Sequence, residues 1–224
     1  MFNKLFENPK TRGRNLILCI LPFLVCIGLF GFLAIKSVKK IIPGNAVLDS
    51  DVYAIKDYNY VLRSNATKYQ VELFNQLDDA LDGDDEQLCA ELIAKNFVAD
   101  FFTWTNKAGS YDVGGIYFVY SPQRKSIILD ARMSFYKYLT YYINKYGNKK
   151  LLEVTNVEVT SSSKLDNKYV DNEGREYEGY YVACEWTYND YSFDSKTNYM
   201  KNGYFTVIKN YDGRFEIVEM YGDE

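Results

Sequence analysis

One long apolar run dominates the N-terminal part of the chain. Residues 15–35, NLILCILPFLVCIGLFGFLAI, contain no charged residue. A helix of this length covers about 30 Å, which is the thickness of the hydrocarbon core of a bilayer. The run is longer than the apolar core of a cleaved signal peptide, and it ends without a small-residue cleavage site. The pattern predicts a retained transmembrane helix with its extension over residues 15–42, preceded by a short basic leader at residues 1–14.

The charges that flank this run bear on its orientation. Four basic residues precede it in the leader, and three follow it within residues 36–40. Under the positive-inside rule this difference favours a cytoplasmic N-terminus. The expected location is therefore the cell membrane, with a single span and an extracytoplasmic C-terminal domain.

Apolar residues in steps of four and three predict a membrane-proximal helix within residues 43–83. This spacing is that of a coiled-coil seam, in which Asn59 would be the polar residue that sets the register. An amphipathic helix that packs on its own domain is the alternative, because its apolar stripe looks nearly the same. The seam supplies the candidate interaction residues Val52, Ile55, Asn59, Leu62 and Tyr69.

Two further helices are predicted downstream. Residues 86–106 repeat apolar side chains every four positions, with Asp84 or Asp85 near the N-cap. A third helix begins around Pro122 and runs to Tyr146, where Gly147 is a plausible terminator. Tyrosines on its flank either line a groove for a protein partner or pack with their hydroxyl groups in water. These candidate interaction residues are Tyr136, Tyr138 and Tyr141.

From Leu151 onward the apolar period changes to two, which is typical of β-strands. Four strands are predicted, within residues 151–160, 176–190, 199–210 and 214–221. A phase slip between Val154 and Val157 indicates a bulge, and Asp212-Gly213 indicates a tight hairpin before the last strand. Helices followed by antiparallel strands predict an extracytoplasmic α+β domain over residues 84–224.

Composition narrows the range of functions. The chain contains no histidine, which removes the usual proton shuttle and the commonest metal ligand. From Pro43 onward there are 19 basic and 29 acidic residues, a balance that argues against nucleic-acid binding. Cys89 and Cys184 could pair, but two buried free thiols are the favoured interpretation. No cofactor, metal or catalytic residue is predicted.

Two short motifs invite a ligand-binding interpretation and do not fit one. The acidic break around Gly83 has Ala80 and Cys89 where a calcium loop needs oxygen ligands. Gly114-Gly115 is not followed by the Gly-Lys-Ser/Thr of a phosphate loop. A close approach of the backbone or a bulge is the better account of this glycine pair.

The order of the elements resembles the nuclear-transport-factor-like fold, a cone in which three helices pack into a strongly curved four-stranded sheet. With the basic leader and the single anchor, residues 1–224 resemble the bitopic assembly subunit of type IV secretion and conjugation machines, which are bacterial. The resemblance is one of architecture, without a sharp motif. Those subunits often carry an Asn-Pro turn in the outer domain, whereas Asn8-Pro9 precedes the anchor here, so no functional residue is carried over.

The resemblance and the composition together favour a non-enzymatic membrane scaffold. Its expected partners are the membrane and other protein subunits, with self-association through the seam as an open alternative. A second hypothesis is a cone pocket that binds a small ligand or transfers protons; Glu185, Tyr188 and Asp190 are candidates for it by chemistry alone. A third is a cell-envelope accessory protein, which the residues do not separate from the first.

Overall fold

The computed structural model describes residues 53–191, 193–194 and 197–222. These residues form an α+β domain with four α-helices and a four-stranded antiparallel sheet, which confirms the predicted class. The predicted leader, the transmembrane helix and Val52 lie outside them. Within the described ranges, no helix combines the length and the hydropathy that crossing a bilayer requires.

The described chain begins with a small hairpin where a helix was predicted. Strands β1 (Ala54–Ile55) and β2 (Tyr60–Val61) pair antiparallel across a 3-10 turn at Lys56–Tyr58. Asn59 ends this turn with φ 55°, a left-handed conformation that asparagine tolerates and that a helix excludes. The prediction of one continuous helix through residues 54–66 is therefore wrong.

The predicted coiled-coil seam does not form in this part of the chain. Ile55 and Leu62 are buried in the core of their own domain, whereas Asn59 is exposed in the turn. Tyr69 lies on the following helix, where its hydroxyl group accepts a hydrogen bond from Val157 N. The apolar residues of the hairpin face the core of the domain, and their spacing along the chain is close to that of the apolar stripe of a helix.

Helices α1 (Lys68–Leu81) and α2 (Glu86–Phe101) form an antiparallel pair. Thr67 caps α1 in a capping box with Gln70. Asp85 caps α2 by accepting from Leu88 N, as predicted. Helix α2 is five residues shorter than the predicted 86–106, because Phe102 ends it. Most of its side chains are buried, since α2 lies between α1 and the sheet.

The predicted third helix is interrupted. It divides into α3 (Arg124–Met133) and α4 (Leu139–Tyr146). Between them Tyr136 turns into the core, where its hydroxyl group donates to Phe101 O at 2.6 Å and accepts from Gly114 N at 3.1 Å. These buried bonds require a bend that a straight helix cannot provide. Gly147 follows α4 with φ 78° and terminates it, as predicted.

The main sheet has the strand order β3-β6-β7-β8, with every neighbouring pair antiparallel. Its strands are β3 (Val154–Lys164), β6 (Gly179–Tyr188), β7 (Asn202–Lys209) and β8 (Phe215–Tyr221). A register shift between Val154 and Asn156 confirms the predicted bulge. The polar segment before β6 contains a small separate hairpin of β4 (Tyr169–Val170) and β5 (Glu176–Tyr177).

One face of the sheet packs on α2, which contacts all four strands. On β6 the predicted alternation holds: Val182, Cys184 and Trp186 are buried, whereas Glu185 and Thr187 are exposed. Cys89 and Cys184 are buried free thiols, which confirms the favoured interpretation. The buried residues of the main hydrophobic core lie between Ile55 and Ile217 in the sequence.

Gly114 and Gly115 allow the loop before α3 to cross the end of α2 at close range. A Cβ atom added at Gly114 would lie 2.3 Å from Asp100 O, well inside van der Waals contact. Gly115 adopts φ 73°, which favours glycine, and it packs against Phe97. This geometry confirms the close backbone approach that was predicted for the pair.

We expect Gly114→Ala to lower the free energy of unfolding by about 3 kcal/mol, because the added methyl group clashes with backbone that α2 holds in place. Gly83→Ala is the matched control: its Cβ would meet only Ala80 O, at 3.4 Å, and we expect a change within about 0.5 kcal/mol. Urea unfolding of both variants measures the difference. Equal free energies of unfolding for the two variants would contradict this expectation, because they would show that the loop accommodates the methyl group without loss of stability.

Candidate functional site

Aromatic side chains fill the space between the helices and the inner face of the sheet. The Trp104 ring lies 4.7 Å from Phe135, 6.0 Å from Tyr142 and 5.7 Å from Phe193, measured between ring centroids. Phe102 stacks on Trp186 of β6 at 4.6 Å. Aromatic packing therefore fills this part of the domain interior.

The three acid–base candidates do not converge. Glu185 is exposed, on the opposite face of β6 from Trp186, and Asp190 is exposed beyond the end of the strand. The hydroxyl group of Tyr188 accepts from Trp186 Nε1 at 3.0 Å and donates to Met200 O at 2.8 Å. Burial raises the pKa of Tyr188 above its ordinary value. Its hydroxyl group thus has a structural role in positioning Trp186.

A largely buried ionic cluster joins Arg63 to three charged residues, Asp100, Lys107 and Asp112, that lie 37 to 49 residues further along the chain. Asp100 Oδ1 accepts from Arg63 Nε at 2.9 Å and from Lys107 Nζ at 2.8 Å. Arg63 also pairs with Asp112 at 3.1 Å. The Lys107 side chain is completely buried, and its remaining protons reach Asp100 O at 2.8 Å and Asn106 Oδ1 at 2.9 Å. Every proton of the ammonium group therefore has an acceptor.

The pKa shifts in the ionic cluster follow from burial and charge. Burial alone would raise the pKa of Asp100, but the adjacent Lys107 and Arg63 outweigh it and hold that pKa well below its usual range. Burial lowers the pKa of Lys107 to about 8 against the attraction of Asp100, so the ammonium group remains mostly protonated at neutral pH. The cluster is thus ionised under physiological conditions.

The ionic cluster positions the elements around it. Arg63 follows the β1–β2 hairpin directly, and Asp100 lies at the end of α2. The loop that contains Lys107 and Asp112 in turn contacts α4 and the turn that follows it: Ser110 N donates to Thr140 Oγ1 at 2.9 Å, and Asn148 Nδ2, just beyond α4, donates to Lys107 O at 2.8 Å. The hairpin, the end of α2 and α4 therefore meet at one corner of the domain.

Sequence reasoning did not find the ionic cluster. Arg63 and Asp112 are 49 residues apart, and Arg63 and Asp100 are 37 residues apart. Each residue by itself resembles an ordinary surface charge. Lys107 carried the one available signal, since it follows directly a segment of buried aromatic residues.

The segment around α4 exposes lysines and tyrosines, which we call the basic patch: Lys137, Tyr138, Tyr141, Lys145, Lys149 and Lys150. Tyr138 and Tyr141 are 57% and 54% exposed, as a surface for binding requires. Tyr136, predicted beside them, is 0% exposed, and its assignment to the flank of the helix is wrong because it bonds within the core.

Lysine and tyrosine side chains of the basic patch lie in contact. Lys145 Nζ is 5.3 Å from the ring centroid of Tyr141 and 5.0 Å from that of Tyr146. Lys137 Nζ lies 5.1 Å from the Tyr138 ring. Such cation–π contacts hold the ammonium groups over the rings and leave them accessible to solvent.

A groove of about 350 Å³ lies between α3, the end of α2 and β8. Its apolar lining includes Phe101, Ile127, Ala131, Ile217 and Met220. Helix α3 buries only Ala131. Strand β8 is an edge of the main sheet. We refer to the groove, together with the outer side of α3, as the α3–β8 surface.

Comparisons with protein-family models, with curated proteins and with solved structures found no match.

We expect Asp100→Asn to lower the free energy of unfolding by about 3 kcal/mol, because it leaves Lys107 and Arg63 buried without their shared carboxylate. Asp79→Asn, on the exposed side of α1, is the control, with an expected change within about 0.5 kcal/mol. Denaturant unfolding at neutral pH compares the two variants.

The loss of the Asp100 carboxylate should also change how the stability of the domain depends on pH. The folded-state pKa of Asp100 lies below its unfolded value of about 3.9. The stability from its ionisation is therefore complete above about pH 5 and is lost as the pH falls. We expect the stability of Asp100→Asn to decrease less steeply with acid than that of the parent. Parallel acid profiles for the parent and Asp100→Asn would contradict this role.

Proposed function

We propose that this chain is a non-enzymatic single-pass membrane scaffold, with a cytoplasmic N-terminus and an extracytoplasmic interaction domain. The observation that carries the proposal is the uncharged run at residues 15–35, which is long enough to cross a bilayer. A folded α+β domain follows it. In this proposal the chain is a component of a conjugation or type IV secretion-like machine.

We further propose that the domain is a nuclear-transport-factor-like cone. Helices that precede a four-stranded antiparallel sheet support this assignment, as does the packing of α2 across one face of the sheet. The helices number four in the described part of the chain instead of the expected three, because the bend at Tyr136 divides the third.

A role in assembly is supported by the filled interior of the domain. The rings around Trp104 occupy the position of a ligand cavity, and Glu185 and Asp190 face solvent separately. Proton transfer requires convergent groups within hydrogen-bond reach. A catalytic or ligand-binding cone is therefore the weaker hypothesis.

The α3–β8 surface is the proposed contact with other protein subunits. Helix α3 exposes Leu129 and Met133, the latter 74% exposed, and Met220 is exposed on β8. Apolar side chains exposed together on adjoining elements mark interaction sites on soluble domains. Sequence analysis did not select these residues, because their spacing on α3 resembles a buried face.

The membrane anchor is tested by introducing charged residues into the apolar run. We expect the parent chain to stay with the membrane during alkaline carbonate extraction. Leu24→Arg combined with Gly28→Arg should release it, since each arginine at the centre of a span costs about 2.5–3.5 kcal/mol. Leu24→Ala with Gly28→Ala is the matched control and should remain in the membrane. Release of the parent chain from the membrane by carbonate would refute the proposal. Protection of its C-terminal domain from protease in intact cells would also refute it.

The assembly role is tested in the membranes of the native cells. We expect chemical crosslinking to place the parent in a larger species, and Met133→Asp with Met220→Asp to reduce that species about tenfold, because the carboxylates would be buried without partners. Val170→Asp with Tyr211→Asp adds the same charges at exposed apolar positions elsewhere and should leave the species intact. A parent that is monomeric under these conditions would contradict the role.

A further inference from the structure

Basic and acidic residues are segregated along the chain around α4. Residues 131–152 contain five basic residues and no acidic residue. The rest of the chain from Pro43 onward contains fourteen basic and twenty-nine acidic residues. A strongly acidic domain therefore has one region of the opposite sign, and this region includes the basic patch.

The lysines of the basic patch are free of carboxylates. Lys137, Lys145, Lys149 and Lys150 are exposed, and none of them is in a salt bridge within the described residues, whereas Lys164 and Lys209 are paired. Two carboxylates of adjoining segments have other partners. Asp112 accepts from Arg63, and Asp194 accepts from Thr197.

The shape of α4 separates its two faces. Leu139 is buried on one side of the helix, and Tyr142 and Tyr146 pack against the ring of Phe193. At 100° per residue, Tyr141 and Lys145 lie about 110° around the helix from this buried side, on its exposed flank, and Tyr138 is exposed just before α4. Exposed tyrosines beside lysines are typical of the boundary between a membrane and water, where the ring enters the headgroup region and the ammonium group binds phosphate.

We propose that the basic patch docks the domain onto the surface of an anionic membrane, with lipid phosphate groups as its ligands. The proposal rests on the proposed function. If residues 15–35 cross the bilayer, only seventeen residues, 36–52, separate the span from the described domain. A chain of that length reaches at most about 60 Å, so the domain remains close to the headgroups.

A series of hydrogen bonds links the first described residues to the start of α4. Tyr53 O accepts from Leu62 N at the base of the hairpin, and Arg63 follows. Through the ionic cluster, Arg63 holds the loop that contacts α4 at Thr140. The start of the described chain is therefore connected through the ionic cluster to α4, which carries part of the basic patch.

The test uses the fragment of residues 51–224, which contains the entire described core. It is mixed with vesicles of phosphatidylcholine alone or with vesicles rich in phosphatidylglycerol, and the bound fraction is measured by flotation. We expect binding only to the anionic vesicles, with a loss of binding at high salt because the contact is electrostatic. Each lysine at such a surface contributes about fivefold in partitioning.

Lys145→Gln, Lys149→Gln and Lys150→Gln together should weaken this partitioning by about 100-fold. The matched control is Lys164→Gln, Lys168→Gln and Lys201→Gln, which removes the same charge from exposed positions elsewhere and should bind like the parent. Unfolding midpoints that equal the parent's establish that both variants are folded. Equal weakening by the two triple variants, or no preference of the parent for anionic vesicles, would overturn the proposal.

Carbonate extraction of the full chain distinguishes this proposal from the function on which it rests. The basic-patch variant should resist extraction as the parent does, because the span holds it. Resistance to extraction without vesicle binding by the fragment would refute the lipid contact alone. Release of the parent by carbonate would refute the anchor.

Discussion

The arrangement of this domain depends on a single buried carboxylate. The Asp100 carboxylate accepts hydrogen bonds from Arg63 and Lys107 and another from Gly115 N at 2.6 Å. One side chain therefore binds Arg63, which is 37 residues away, and two positions of the loop that follows α2. A buried ammonium group without this partner would carry a large desolvation cost, so the hairpin, the end of α2 and the glycine loop are stable together rather than separately.

Two kinds of surface follow from this arrangement. The inner face of the sheet packs against rings such as Trp104 and Phe135, and the proposed contacts lie on the exterior. On the exterior, α3 remains largely uncovered because only Ala131 is buried, whereas α4 is covered on one side and the segment around it is basic. In the proposed function, the first surface contacts another protein subunit, and in the further proposal the second contacts lipid phosphate.

Local patterns predicted the elements whose period is unambiguous. The alternation through Val182, Cys184 and Trp186 identified β6 and its buried face, and the bulge after Val154 was read from a phase slip. The same reasoning failed between residues 54 and 66, where short strands and a turn repeat apolar positions at nearly helical spacing. It also failed at Tyr136, because a tyrosine on the flank of a helix has the same local sequence pattern as a tyrosine in a bend between two helices.

The amino-acid sequence by itself determined the α+β class, the antiparallel strands, the caps and the charge of each segment, because these depend on neighbours within a few residues. Only the tertiary structure decided which charges are buried together. Arg63, Asp100 and Lys107 lie on separate segments, and nothing local distinguishes them from solvated residues. The exposure of Tyr138 and the burial of Tyr136 were decided in the same way, because burial depends on what packs against a residue and not on the residue alone.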